Sequence, residues 1–329
     1  MSDPDRQLRA PTGAAWSDEL ARIEEVAVDA ARLAGALISD RFGGWIEVSS
    51  KDDGRWDAVT DVDRDAQRLI GGVIAESFPD HLVIGEEDPS AEETAAPDWV
   101  WAVDPIDGTT NFANGLPIHA SSIGSLYRGA PVAGAIWIAW PGPSGGVVFR
   151  ARRGGGAWRD EKRLELSASS SNGVPAAGRP VALPSGLNRQ YRLGKELSRA
   201  QGDARTMGSV AFEMCMVAAG VAQYAVSGPA RLWDFAAGSV IVSEAGGRVA
   251  ALRRDGRWRE LDSFVDGYSA DAETSERLRR WNRPVISGPP GAVELLGRNL
   301  RPRRPSPLAR SRRAIERAFG RREGTGKRS

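Results

Sequence analysis

Residues 99–112 read WVWAVDPIDGTTNF. The run WVWAV has the tryptophan and valine content of a buried β-strand. It ends directly in Asp104 and Asp107, with only Pro105 and Ile106 between them, and Gly108, Thr109 and Thr110 follow at once. Two carboxylates three residues apart against an apolar strand repel each other unless a cation joins them. Pro105 and Gly108 fix the turn that aims the acids. The Gly-Thr-Thr turn adds backbone N–H and hydroxyl donors of the kind that hold phosphate oxygens. A strand end that gathers both kinds of group implies metal-assisted phosphate chemistry.

Upstream, apolar residues at Leu20, Ile23, Val26, Ala27, Ala30, Leu33 and Ala34 predict an amphipathic helix over 17–42. Residues 45–49 read as a short strand and 51–57, KDDGRWD, as a polar loop. Thr60 reads as the N-cap of a second helix, with Leu69, Ile70, Val73, Ile74 and Phe78 on its buried stripe. A strand over 81–84 ends in Gly85-Glu86-Glu87. Downstream, period-two runs over 120–127, 131–140 and 146–150 predict a meander, and 155–167 a further hairpin. The Ser/Gly/Pro-rich stretch 167–178 reads as a loop between halves. Beyond it the pattern alternates: strand 179–183, helix 187–200, helix 209–220, strand 221–227, helix 233–245 stopped by Gly246-Gly247, strand 285–287 and helix 292–299. Strands in runs, then strands alternating with helices, predict layered sheets and helices in an α+β half (17–166) and an α/β half (167–300).

The 329 residues, 41% hydrophobic and 26% charged, are those of an ordinary globular chain with room for a real core. The single cysteine, Cys215, excludes an internal disulfide and is compatible with a reducing cytoplasm, the expected location. The polar first residues, 1–16, are expected to be flexible and carry no signal-peptide core. No apolar run is long enough to span a membrane. The net charge of +1 hides an asymmetry, for residues 301–329 hold eleven Lys/Arg and two Glu, while 1–300 hold 33 basic and 41 acidic side chains. The basic tail reads as a solvated, disordered extension, or as a nucleic-acid or membrane contact. Its one aromatic, Phe319, is too few for a specific single-strand binder.

Five acids sit at predicted element ends: Asp63, Glu86, Asp104, Asp107 and Asp234. Hard divalent cations take such oxygen ligands. Two histidines and one cysteine make neither a usual zinc site nor a Ser-His-Asp or Cys-His mechanism. Three of the acids have other readings. Asp63 completes a capping box with Thr60, Asp234 falls in a helix first turn where an acid suits the dipole, and Glu86 could be a solvated loop acid.

Taken together the segments resemble the inositol monophosphatase family of Mg²⁺-dependent, Li⁺-sensitive phosphatases. DPIDGTTNF resembles its first signature, and LWDFAAGSVIVSEAGG (232–247) its second. AVTDVDRDAQRLI, IGEED and RTMGSVAFEMCMVAAG match further segments in the expected order. The likeness covers about residues 16–299 and implies a layered α-β-α-β-α sandwich that acts as a homodimer on a small phosphorylated metabolite. It implies two or more Mg²⁺ ions held by Glu86, Asp104, the Ile106 carbonyl, Asp107 and Asp234. Asp63 would position the nucleophilic side of the site, and Glu86 and Thr109 would orient the attacking water. The Gly108 and Thr109 amides would grip phosphate, with Ser209 on the substrate side. The loop 51–57 takes the place of the family's mobile active-site loop. One position departs: where inositol-specific members carry an acid for substrate hydroxyls, this chain has Ser227, and Arg231 stands nearby. Arg231 is a substrate contact or a surface ion-pair partner, and the implied substrates widen to sugar phosphates, histidinol phosphate and 3′-phosphonucleotides.

Overall fold

The computed structural model describes residues 13–44, 48–52, 55–88, 95–141, 145–166, 175–199 and 202–303, with the side chains of 45–59 outside that set. Most of the expected flexible N-terminus, the larger part of the 167–178 loop, residues 45–47 of the first expected strand and the basic tail beyond Arg303 therefore lie outside the described residues.

The apolar repeat of 17–42 forms α1 (Ala14–Arg41), whose buried face includes Leu20, Ile23, Ala27, Ala34 and Ile38. A hairpin follows, β1 (Val48–Asp52) and β2 (Arg55–Thr60), then α2 (Asp61–Ser77), β3 (Leu82–Gly85) and β4 (Trp99–Asp107). After the short α3 (Thr109–Ala113) come β5 (Ala120–Tyr127), β6 (Ala130–Ala139), β7 (Gly146–Arg152), β8 (Gly156–Arg159) and β9 (Lys162–Leu164). Strands β3 to β9 make one seven-stranded sheet in sequence order, with β3 parallel to β4 and every later pair antiparallel. The meander read from period-two alternation forms β5 to β7 of this sheet.

The second half contributes β10 (Pro180–Ala182), α4 (Leu187–Gln190), β11 (Tyr191–Leu193), α5 (Lys195–Arg199), β12 (Asp203–Arg205), α6 (Val210–Ala218), β13 (Ala225–Arg231) and α7 (Leu232–Glu244). It closes with β14 (Arg248–Leu252), β15 (Trp258–Glu260), α8 (Ala272–Arg279), β16 (Asn282–Gly288), α9 (Pro290–Asn299) and β17 (Leu300–Pro302). Its six-stranded sheet has the order β12-β10-β13-β16-β14-β15.

The layers are those of an α-β-α-β-α sandwich. Helices α1 and α2 cover one face of the seven-stranded sheet around Trp101, Val103, Ile123 and Trp137. Helices α6 and α7 fill the space between the two sheets, where Phe149, Phe212, Phe235, Ile241 and Val285 share one core. Helix α9 covers the outer face of the second sheet around Tyr224, Ile286 and Leu296. Burying each such side chain stabilises by about 1.5–3 kcal/mol, and α7, apolar on nearly every side, buries nine of its residues between the sheets. Gly124 and Gly134 let α7 lie against the sheet, since a Cβ at either would stand under 3 Å from Ala237 atoms.

Three expectations are corrected. Residues 51–57 are mostly strand, because β1 and β2 pair from Val48↔Thr60 to Asp52↔Arg55. The helix expected over 187–200 breaks into α4, β11 and α5. Here Gly194 packs so closely that a Cβ would meet Asn299 Oδ1, and Tyr191–Leu193 pairs with Leu300–Pro302 from the far end of the chain. The strand expected over 221–227 begins at Ala225 and runs to Arg231, past a bulge at Gly228-Pro229 that accommodates the proline.

Candidate active site

The site forms where strand ends and a helix start meet. Strand β4 lies between β3 and β5, so its last residues are buried, and its pairing with β5 shifts between Asp104↔Ser122 and Asp107↔Ala120. The bulge that Pro105 and Ile106 create carries both acids past the ladder. Glu86 leaves β3 beside them, its N–H donating to Val103 O at 3.1 Å. Asp234 arrives from the other side at the third residue of α7, its Oδ2 accepting from Arg231 N at 2.5 Å. Ser122 Oγ donates to Trp233 O at 3.1 Å and fastens this helix start to β5.

Carboxylate oxygens of Glu86, Asp104 and Asp234 lie within 4.8 Å of one another. Asp104 is 1% exposed, and its Oδ1 is buried without a hydrogen-bond partner among the described residues. Burial first, then the charges of Glu86, Asp107 and Asp234, push the Asp104 carboxyl well above the usual range. Asp234 is raised as well, by desolvation and then by Asp107 and Glu86. Crowded carboxylates of this kind hold protons unless a cation compensates them. An orphaned buried oxygen among three converging carboxylates fits a hard divalent cation.

Asp107 stands beside this trio with its Oδ2 engaged elsewhere. It accepts from Ser209 Oγ at 2.9 Å and from Ala211 N at 2.5 Å. Burial raises its carboxyl to about 7 against the pull of these two bonds. Ser209 is also the N-cap of α6, accepting from Phe212 N at 3.3 Å. It therefore ties Asp107 to a helix start, a role its sequence position alone did not reveal.

Asp63 caps α2 with one oxygen and meets Thr109 with the other. The capping box is formed, with Thr60 N donating to Asp63 Oδ2 at 2.8 Å. The other oxygen faces the site, where Thr109 Oγ1 lies 3.1 Å from Asp63 Oδ1 and 2.8 Å from Ile106 O. Burial lifts Asp63 to about 6, although bonds from Thr60 and Thr109 oppose the shift. The Ile106 carbonyl thus already accepts from Thr109. Gly108 has φ 90°, and a Cβ there would sit 3.0 Å from Ile118 O and from Ser209 Cβ. Ser227 is buried in β13 opposite Val285, and Arg231 is exposed at the strand end opposite Asn282.

Sequence reasoning missed the supporting polar residues. Asn111 Nδ2 donates at 2.7 Å to both Ile118 O and Met207 O, stitching α3 to the segment before α6. Glu213, buried in α6, accepts from Met207 N at 3.2 Å, and burial raises its carboxyl to about 7. The one signal was a glutamate inside the otherwise apolar run 210–219.

A five-layer sandwich with an acidic cluster between a strand end and a helix start defines a class of metal-dependent phosphatases. The inositol monophosphatase family model matches residues 19–281, and the chain belongs to that family. Among its relatives, the fructose-1,6-bisphosphatase/inositol-1-monophosphatase of Aquifex aeolicus is 32% identical over 70% of this chain and 86% of its own. The Nus factor SuhB of Escherichia coli is 35% identical over 68% of this chain and 83% of its own. The solved structure of an IMPase from Thermotoga maritima superposes with a TM-score of 0.60 at 27% identity, covering 82% of this chain and 92% of that one.

Proposed function

We propose that the protein hydrolyses a phosphate monoester of a small metabolite, an inositol phosphate or a related polyol or sugar phosphate, using Mg²⁺. The observation that carries this reading is the convergence of Glu86, Asp104 and Asp234 carboxylates, with Asp104 Oδ1 buried and without a partner among the described residues. Glu86, Asp104 and Asp234, with Asp107 and the Ile106 carbonyl beside them, would hold the ions. Bound divalent cations supply Lewis acidity and a water of lowered pKa. Thr109, held against Asp63, would orient the attacking water, and Glu86 would take part in aligning it. The Gly108 and Thr109 amides receive the equatorial phosphate oxygens, where fixed donors lower the barrier most. The protein is proposed to work as a homodimer in the cytoplasm.

Ser227 and Arg231 bear on substrate choice. A hydroxyl accepts substrate hydroxyls less strongly than a carboxylate, whose charge-assisted bonds are roughly twice as strong. Inositol 1-phosphate is therefore proposed as a substrate but not the best one, with bisphosphates, histidinol phosphate and 3′-phosphonucleotides as the alternatives. The test is phosphate release over such a panel with Mg²⁺, with EDTA and with Li⁺. Release that needs Mg²⁺ supports the reading, and no release from any ester overturns it. Inositol 1-phosphate at the top of the panel overturns the substrate reading alone.

A second reading is a regulator that contacts nucleic acid or membrane through the basic residues 301–329. It draws on that charge and on the relative named a Nus factor. Salt-sensitive binding to RNA or anionic vesicles, without hydrolysis of any ester, would favour it.

A further inference from the structure

Helix α2 touches the segments that carry the acids at two points one turn apart. Asp63, near its start, reaches Thr109 after β4. Gln67, four residues on and so on the same face, reaches the loop after β3. Its Oε1 accepts from Glu87 N at 2.8 Å and its Nε2 donates to Asp88 Oδ1 at 2.7 Å. Asp88 Oδ2 in turn accepts from Gly85 N at 2.7 Å. These bonds fasten the backbone immediately before and immediately after Glu86. Gly85 lies so close that a Cβ there would stand 2.4 Å from the Gln67 amide. From the other half of the molecule, Arg279 at the end of α8 comes within 3.9 Å of Asp88.

We propose that Gln67 and Asp88 are positioning residues that clamp the backbone on both sides of Glu86, aligning its carboxylate with Asp104 and Asp234 for a divalent cation. This rests on the reading of Glu86 as a metal ligand. The donor pattern makes the clamp specific. Glu87 N can meet only an acceptor on residue 67, and Gly85 N only an acceptor on residue 88. One donor must then pass between the two side chains. An amide facing a carboxylate supplies it, whereas two amides or two carboxylates do not.

Swapping the partners tests this. Gln67→Glu leaves two carboxylates face to face, and Asp88→Asn leaves two amides with a donor against a donor. The double variant Gln67→Glu/Asp88→Asn restores all three bonds with the roles exchanged. Mg²⁺ binding is measured by titration calorimetry, with thermal midpoints in EDTA as a folding control. Asp88, with its side chain about a third exposed, gives the variant least liable to misfold. Each single variant is expected to weaken Mg²⁺ binding by roughly 10-fold or more, as supporting residues of metal sites do, and the double variant to recover most of the loss. Unchanged binding in the single variants, or a double variant as weak as the worse single one, overturns the clamp. Wild-type protein that binds no Mg²⁺ overturns the metal reading and the clamp together.

Discussion

A buried carboxylate oxygen without a partner costs at least 1–3 kcal/mol, and Asp104 Oδ1 is in that position with three further acids around it. Replacing it by an amide leaves a group that is neutral without needing a proton and adds a donor that Glu86 or Asp234 can accept. Asp104→Asn is therefore expected to melt in EDTA at or above the wild-type temperature, to gain nothing from added Mg²⁺, and to lose roughly 10³-fold in kcat, about 4 kcal/mol of barrier. A variant that keeps near-wild-type kcat would remove Asp104 from the site. Glu213 offers a pH test. Its carboxyl rises from 4.5 to about 7 on burial, so the folded state keeps a proton that the unfolded chain releases. Stability from this group is full below about pH 4.5 and is lost as pH rises towards 7, up to roughly 3 kcal/mol at 1.36 kcal/mol per pKa unit. Glu213→Gln keeps the acceptor for Met207 N and cannot ionise. In urea titrations between pH 4.5 and 8 it should flatten that decline and be the more stable protein at pH 8, whereas an unchanged slope would assign the decline elsewhere. At this scale the sequence displayed the acids, because charged residues at the ends of apolar runs stand out. The partners were hidden, because the bonds from Ser209 to Asp107 and from Gln67 to Asp88 join residues distant in the chain.

Among the elements, the turn between β4 and α3 is held by a backbone that only glycine adopts easily. Gly108→Ala meets both a positive φ and contacts at 3.0 Å with Ile118 O and Ser209 Cβ. Strain of this kind costs about 1–3 kcal/mol, and here it would displace Thr109 and the start of α3. The variant is expected to lose at least 10-fold in kcat while its melting temperature falls by only a few degrees, as steady-state assays and calorimetry would show. A kcat unchanged beside a lowered melting temperature would make the glycine purely structural. Elements with a strong local signal were legible before the fold was known: α1, α2 and the meander by their period, α6 and α7 as apolar runs with clear boundaries. Those governed by a distant partner were not. Tyr191–Leu193 sits in a helix-like sequence and is drawn into a strand by Leu300–Pro302. Helix α8 buries only Thr274, Ser275 and Leu278, too little for an apolar stripe, and is announced chiefly by Asp271, whose side chain accepts from Thr274 N at 2.8 Å.

Across the whole molecule, charge and fold divide near the same place but not at the same residue. The acidic body ends in α9, yet the chain goes on to pair β17 with β11, buries Leu300 at 1% exposure, and accepts the Trp258 indole N–H on Leu300 O at 3.0 Å. Arg303 N still donates to Gln190 O at 2.8 Å. The +9 of residues 301–329 therefore begins inside a strand, which composition alone could not show because basic residues at a sheet edge and in a tail look alike. Two truncations separate the contributions. Ending the chain after Asn299 removes a buried leucine and the whole β11–β17 pairing, and should lower stability by roughly 2–5 kcal/mol, the range for emptying a core leucine site. Ending it after Arg303 leaves every described contact in place, so melting temperature and kcat on small phosphate esters should match the full chain. That shorter protein should still lose salt-sensitive binding to RNA or anionic vesicles, because fewer released counterions make the dependence on salt shallower. Both proteins are compared by thermal melting, phosphate release and titration with a labelled oligonucleotide at 50 and 200 mM salt. A large fall in kcat after removal of 304–329 alone would place the basic segment at the active site.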